Sequence, residues 1–430
     1  MFKVTTHSGV QTAGAIITTL GSTPVEAFDH QNFSPFYQPI VELTTGRIAG
    51  YEALARRRET DGTFVSAGAV FSDARLPREH KLHLDRYLRD SALRRAASPG
   101  EQDPGGDGFI TLNISPDWVD MLNEDHHIPT LNMVKKSGID PSRVIVEITE
   151  HCGNIENLKK LTSIYHGAGL KVAIDDFGAG ASQIDRVIEL KPDFIKLDMG
   201  LFKSAARGGH AADIVLSIVA MAQRAGCKII CEGVETEEEL YFAIECGADF
   251  IQGWLFDPAL PAPIKSDTYM DRLNRLKAIY LTAKSGRLML AAEHNKAVAN
   301  TLMTVCQSLS VDDPLASIVD RLPIEMAAEL GVLQLFLCDE QGNQISDNVC
   351  YQEHGLGFDS GSLGKNWSHR PYFPLLHAMN HLQSDHIVVS TPYRDINTGK
   401  LCKTHGLFIS SNCVLLIDVL ADDVILFSAE

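Results

Sequence analysis

Four residues able to offer oxygen to a cation, Glu52, Asn113, Glu147 and Asp175, each stand at or near the end of a separate short apolar run. Their contexts read Tyr51-Glu52-Ala53-Leu54-Ala55-Arg56, Asn113-Ile114-Ser115, Glu147-Ile148-Thr149-Glu150 and Asp175-Asp176-Phe177-Gly178. Carboxylates and an amide carbonyl delivered by separate strands suit a hard divalent cation such as Mg²⁺ or Mn²⁺. Brought together without one, the carboxylates would repel each other strongly. The chemistry this points to is metal-assisted hydrolysis.

Eight short apolar runs must position these groups: Phe36–Leu43, Ile48–Arg56, Phe109–Ser115, Val144–Glu150, Lys171–Phe177, Phe194–Asp198, Lys228–Val234 and Phe250–Phe256. Their alternation with amphipathic segments predicts an α/β fold, a (β/α)₈ TIM-like barrel. One junction differs. Only Thr44-Thr45-Gly46-Arg47 joins the first two runs, a hairpin length too short for a parallel crossover. The first strand is therefore expected to run antiparallel, which brings Gln38 to the rim where the parallel strands end. Chemistry in such barrels sits at that rim, and Asn113, Glu147, Glu150, Asp175, Asp176, Asp198 and Glu232 all fall near the ends of their runs.

From about Phe36 to Pro258 the text resembles the EAL domains, which bind and hydrolyse the bacterial second messenger cyclic di-GMP. The motifs are Tyr37-Gln38-Pro39-Ile40, Glu52-Ala53-Leu54-Ala55-Arg56, the asparagine, glutamate and Asp-Asp-Phe-Gly segments above, and Lys196-Leu197-Asp198. Glu232-Gly233-Val234-Glu235 and Gln252-Gly253-Trp254-Leu255-Phe256-Asp257-Pro258 complete the series in order. The resemblance implies a phosphodiesterase that opens cyclic di-GMP to linear pGpG with two Mg²⁺ or Mn²⁺ ions. By it, Glu52, Asn113, Glu147 and Asp175 hold the first metal. Asp175 bridges to a second, with Asp176 as its other ligand and Asp198 or Glu235 nearby or acting through water. Lys196 would stabilise charge on phosphate. Glu232 would position Lys196 or take a proton from the attacking water. Gln38 and Arg56 would contact the nucleotide, and Gln252 would support the site or face a guanine. The contrasting expectation is a receptor that binds the messenger without cutting it, but such receptors usually lack several metal ligands and this chain lacks none.

The resemblance has one departure. The family's Asp-Asp-Phe-Gly-Thr-Gly-Tyr-Ser-Ser-Leu is here Asp175-Asp176-Phe177-Gly178-Ala179-Gly180-Ala181-Ser182-Gln183-Ile184. That loop, tethered at Glu150, is expected to couple dimerisation to metal binding. Its changes remove a hydroxyl and a ring but no ligand, so weakened or regulated activity is the expectation.

A chain of 430 residues predicts more than one domain. The divisions expected are an N-terminal extension (1–30), the barrel (31–265), a helical linker (266–310) and a C-terminal domain (311–430). In the linker, Ser266-Asp267 would cap a long helix packed along the barrel, with Gly286 as an interruption. Nine scattered cysteines predict reduced thiols in the cytoplasm, and the resemblance implies a bacterial protein. No apolar run is long enough to span a membrane. A formal charge of −17 argues against a nucleic acid polymer as partner, and no Gly-Gly-Asp-Glu-Phe-type motif points to messenger synthesis. Helices and a small antiparallel sheet after residue 311 resemble PAS-like or Cache-like sensors. There Trp367, Arg370, Tyr372, Tyr393 and Asp395 would line a site for a small zwitterion or carboxylate. The same residues also suit core packing with an Arg370–Asp395 ion pair, the domain then serving to pair subunits of a homodimer.

Overall fold

Gly46, at φ 74°, turns the chain between β1 (Phe33–Glu42) and β2 (Ile48–Arg58) in a conformation that glycine adopts without steric cost. So short a link leaves only antiparallel pairing, which the two strands make from Phe33↔Arg57 to Val41↔Ile48. The computed structural model describes residues 30–97, 108–114, 128–149, 154–180, 184–307, 309, 313–352, 355–382, 386–395 and 398–421. Glu150, Ala181 and all but the last residue of the expected extension lie outside the described residues.

A short strand, β3 (Phe64–Ser66), extends β2 outside the ring. Parallel strands then follow in order: β4 (Phe109–Asn113), β5 (Val144–Thr149), β6 (Lys171–Phe177), β7 (Phe194–Leu197), β8 (Lys228–Cys231) and β9 (Phe250–Ile251). β9 pairs antiparallel with β1 and closes the barrel. The expected (β/α)₈ architecture is present, reversed first strand included.

The two-residue period of a strand sorts its side chains into two faces. Outward, Ile110, Leu112, Val146, Val172, Ile195, Ile229 and Ile251 bury against the surrounding helices. Inward, Ile40, Ile145, Ala173, Phe194, Ile230 and Phe250 form a separate apolar layer that Phe109 joins. The rings of Phe109, Phe194 and Phe250 stand 5.8–5.9 Å apart. Gly50 makes room for them, since a Cβ there would lie 2.4 Å from the Phe109 ring. This layer is the floor of the site. Two residues beyond it along each strand come Glu52, Thr111, Glu147, Asp175, Lys196, Glu232 and Gln252. On the reversed β1 the same step runs backward, from Ile40 to Gln38, which lies opposite Glu52.

The linker differs from its expectation. Residues 266–269 form a turn rather than a cap, and the helix runs Met270–Cys306 without interruption at Gly286. Leu273 and Leu276 are buried at its barrel end and Val298, Leu302 and Val305 at its far end. Ser285 to Leu290 are exposed throughout. The helix bridges two domains instead of lying along one. No helix among the described residues is long and apolar enough to cross a membrane.

The C-terminal domain is an antiparallel sheet of β10 (Val332–Asp339), β11 (Asn348–Gln352), β12 (Gly355–Asp359), β13 (Val388–Val389), β14 (Tyr393–Arg394), β15 (Leu401–Ser410) and β16 (Cys413–Leu420). The order is β12-β11-β10-β16-β15-β13, with β14 on β15. One face packs on the linker helix and on helices Pro314–Arg321 and Ile324–Glu329. The other packs on helix Tyr372–Leu382, with Trp367 and Tyr372 against Phe336, Phe373 and Leu376. The expected Arg370–Asp395 pair does not form. Arg370 lies over the Trp367 ring at 5.7 Å. Asp395 instead closes a tight turn, accepting from the Thr398 N–H and hydroxyl at 2.7 Å each. Tyr393 bonds inward to Thr404 and Asp418, at 2.9 and 3.0 Å.

Candidate active site

Lys196, 1% exposed, is the centre of the barrel mouth. Its Nζ lies 2.7 Å from Glu232 Oε1, 3.0 Å from Glu147 Oε1, 3.0 Å from Asp175 Oδ1 and 3.4 Å from Glu52 Oε2. Burial opposes its charge, but Asp175, Glu147, Glu232 and Glu52 outweigh that and hold its pKa well above the usual lysine value. One ammonium thus faces four carboxylates.

Those carboxylates are not equivalent. Glu52 is buried, yet Lys196 and hydrogen bonds to its oxygens draw its pKa below the usual range. Gln252 Nε2 donates to its Oε2 at 2.7 Å and Asn113 Nδ2 to its Oε1 at 2.9 Å. Gln252, itself buried, therefore orients Glu52. Glu147 is fully buried: its Oε1 faces the Lys196 ammonium at 3.0 Å, and its Oε2 has no hydrogen-bond partner among the described residues. Burial and the neighbouring charge of Glu52 push its pKa far up. Asp175 Oδ1 is likewise buried and shares the same ammonium, at 3.0 Å. Burial raises Glu232 to about 8. Asp176 is pushed upward by desolvation and by Asp175, and its backbone takes φ 54°, a conformation costing about 1–2 kcal/mol outside glycine.

Carboxylates crowded around one ammonium, with the buried Glu147 Oε2 left over, are what a divalent cation satisfies, and oxygen is the donor type that Mg²⁺ and Mn²⁺ select. Asp175, Asp176 and Glu232 can each bring an oxygen within 4.8 Å of the others. The residues present fit a metal centre.

Two predicted residues stand apart from this cluster. Asp198 caps helix Met199–Ala206, accepting from Leu201 N at 2.9 Å. Glu235 pairs with Lys203 at 2.8 Å. Arg56 lines a cavity of ≈480 Å³ that reaches the cluster at Asn113. Its far wall carries Lys81, Asp85 and Arg89 from helix Arg78–Ala97, which reading by motif missed. The signal was available: charges at four-residue steps share one helix face. Arg89 is buried, bonded to Asp85 and, at 2.5 Å, to Thr130 Oγ1, while its Nε has no partner among the described residues.

Residues 25–259 match the EAL domain family, and residues 264–427 match a family described as an EAL-domain associated signalling protein domain. The EAL-domain containing protein YkuI of Bacillus subtilis (strain 168) is 28% identical over 393 residues, 90% of this chain and 93% of that protein. The crystal structure of YkuI in complex with cyclic di-GMP and calcium aligns with TM-score 0.79 at 28% identity, covering 92% of this chain and 98% of the other. The cyclic di-GMP phosphodiesterase RocR of Pseudomonas aeruginosa is 30% identical over 244 residues, 55% of this chain and 60% of RocR. With a matching family over more than half its length and a carboxylate-lined barrel mouth, this chain belongs to the EAL-domain family.

Proposed function

We propose that the chain hydrolyses cyclic di-GMP to linear pGpG with two divalent cations, Mg²⁺ or Mn²⁺. The observation that supports the reading is the convergence of Glu52, Glu147, Asp175 and Glu232 on the single ammonium of Lys196, with the buried Glu147 Oε2 left without a partner among the described residues. Glu52, Asn113, Glu147 and Asp175 would hold one cation, and Asp175 with Asp176 the other. When bound, such ions polarise the phosphodiester and lower the pKa of water.

The chain's own groups do the rest. The Arg56 guanidinium, at the cavity wall, forks onto phosphate oxygens. Gln38, opposite Glu52 in the strand register, meets the nucleotide across the mouth. Lys196 is a fixed charge where negative charge gathers on the phosphoryl group, and the dry barrel floor keeps that interaction strong. Glu232, held at Oε1 by Lys196, takes the proton of the attacking water. The water oxygen bonds to phosphorus, the bond to one ribose 3′ oxygen breaks, and a proton returns to that oxygen. The acidic balance of the chain is no obstacle, since cations held by these carboxylates would reverse the local field.

Incubation of the purified chain with cyclic di-GMP and Mn²⁺, followed by chromatography, tests this. The expected product is pGpG, lost on chelation. Cyclic di-GMP that binds but stays uncut would instead support the receptor reading, since YkuI is a relative whose crystal structure holds cyclic di-GMP.

A further inference from the structure

We propose that the C-terminal domain positions the two carboxylate-bearing turns of the barrel through Arg394, Asp213 and helix Met199–Ala206. The consequence for catalysis rests on the phosphodiesterase reading; the mechanical link does not.

Arg394 Nε lies 2.9 Å from Asp213 Oδ2, joining β14 to the first turn of barrel helix His210–Arg224. The arginine is rooted. Its neighbour Tyr393 points the other way, into the sheet, where its hydroxyl meets Thr404 Oγ1 and Asp418 Oδ1. Asp418 is 4% exposed and also accepts from Gln334 at 2.7 Å and Thr404 at 2.7 Å. Successive strand residues face opposite sides, so this dipeptide fixes one side chain in the sheet's polar core and offers the next to the barrel.

On the barrel side, only Arg207, Gly208 and Gly209 separate helix His210–Arg224 from helix Met199–Ala206. Phe202 and Ala205 of the shorter helix and Ala212 and Val215 of the longer are fully buried in one cluster. The shorter helix touches both catalytic turns. Its Leu201 fills the space above Gly178, where a Cβ would come within 2.3 Å of Leu201 Cδ2. Its Met199 does the same above Gly233, at 2.2 Å from Met199 Cγ. Gly178 closes the Asp175-Asp176-Phe177 turn and Gly233 follows Glu232. Asp198 N also donates to Phe177 O at 3.1 Å, and Lys203 holds Glu235. A displacement of this helix therefore moves Asp176 and Glu232 together, and Arg394 is the C-terminal domain's grip on its neighbour.

The test uses the full chain with Arg394→Glu, Asp213→Arg, the double exchange, and Arg394→Gln as a milder loss of charge. The readouts are Mn²⁺ affinity from the electron paramagnetic resonance signal of free Mn²⁺, amide exchange over residues 199–206, and the kinetics of pGpG formation. Arg394 and Asp213 are part-exposed, and such pairs are weak, so each single change should raise the Mn²⁺ dissociation constant about two- to fivefold. Exchange over 199–206 should quicken, kcat at subsaturating Mn²⁺ should fall, and KM for cyclic di-GMP should stay put because neither residue meets substrate. The double exchange should restore wild-type behaviour. Single variants identical to wild type in exchange and Mn²⁺ affinity, or a double variant no better than either single, would overturn the proposal. A wild-type chain that makes no pGpG would defeat the phosphodiesterase reading alone, and amide exchange would still decide the link.

Discussion

Replacing Lys196 with methionine removes the one ammonium among four carboxylates while keeping an unbranched chain of similar volume. Without metal, Glu52, Glu147, Asp175 and Glu232 would then share a buried site with no counter-charge. Removing one partner of a buried ion pair costs about 3–5 kcal/mol. Part of that is recovered by proton uptake, since Glu147 and Glu232 already favour their protonated forms and each unit of pKa is worth about 1.4 kcal/mol. The sign follows from the direction of shift. A carboxyl group whose folded pKa is raised adds stability that is full below its unfolded pKa and lost as pH rises through the folded value. With Glu232 at about 8, the penalty is smallest near pH 4.5 and grows toward pH 8.

At pH 8 in chelator the variant barrel should thus lose about 3 kcal/mol, which for a domain of its size lowers the melting temperature by roughly 6–12 °C. Saturating Mn²⁺ supplies the missing positive charge, so its stabilisation should exceed the wild-type value; at a hundred times the dissociation constant it reaches about 2.7 kcal/mol. Calorimetry of both proteins, with chelator or Mn²⁺, at acid and alkaline pH reads all of this. A variant that melts with wild type in chelator at pH 8 would refute the reasoning, because the carboxylates would then not be ionised around Lys196. With Mn²⁺ bound, cleavage should still fall ~10²-fold, as when other charge-stabilising donors are removed.

Further outcomes are expected. Mn²⁺ or Mg²⁺ should support pGpG formation and Ca²⁺ should do so poorly, being larger and a weaker Lewis acid; equal turnover in chelator would refute a metal mechanism. Gln252→Ala, which frees Glu52 Oε2 from its donor, should weaken Mn²⁺ binding about 10–100-fold, and Glu52→Ala should exceed that loss with the fold intact by circular dichroism. Gly233→Ala forces a Cβ against Met199 at φ 68°, so it should lower the melting temperature and Mn²⁺ affinity together, and unchanged values would show that the helix can yield.

The barrel was legible because its strands carry two codes at once. A two-residue period places Ile145 under Glu147, Ala173 under Asp175, Phe194 under Lys196 and Ile230 under Glu232, so apolar text two residues before a polar group marks both floor and ligand. The hairpin length at Gly46 fixed the direction of β1. What stayed hidden depends on contacts between distant segments. Nothing near Glu235 announces Lys203, and nothing near Arg394 announces Asp213, 181 residues away. Asp395 was misplaced for a local reason: its carboxylate is consumed by its own turn, accepting from the Thr398 N–H and hydroxyl.

On the proposed function, the cavity beside Arg56 would reconcile an acidic protein with an anionic substrate. Its cations, Arg56, Lys81 and Arg89, line the same cavity as Asn113, whose amide donates to Glu52 of the carboxylate cluster. Bound metal would neutralise the cluster, while these side chains would neutralise whatever part of the dinucleotide extends past it. Screening leaves distant surface charges little influence, so the net charge of −17 is felt far less than a guanidinium in the cavity wall. Arg89 is held within this arrangement. Asp85 and Thr130 hold two of its nitrogens, leaving the buried Nε with a hydrogen still to donate. Desolvated donors of that kind are costly, so an anionic ligand that reached this Nε would recover that cost on binding.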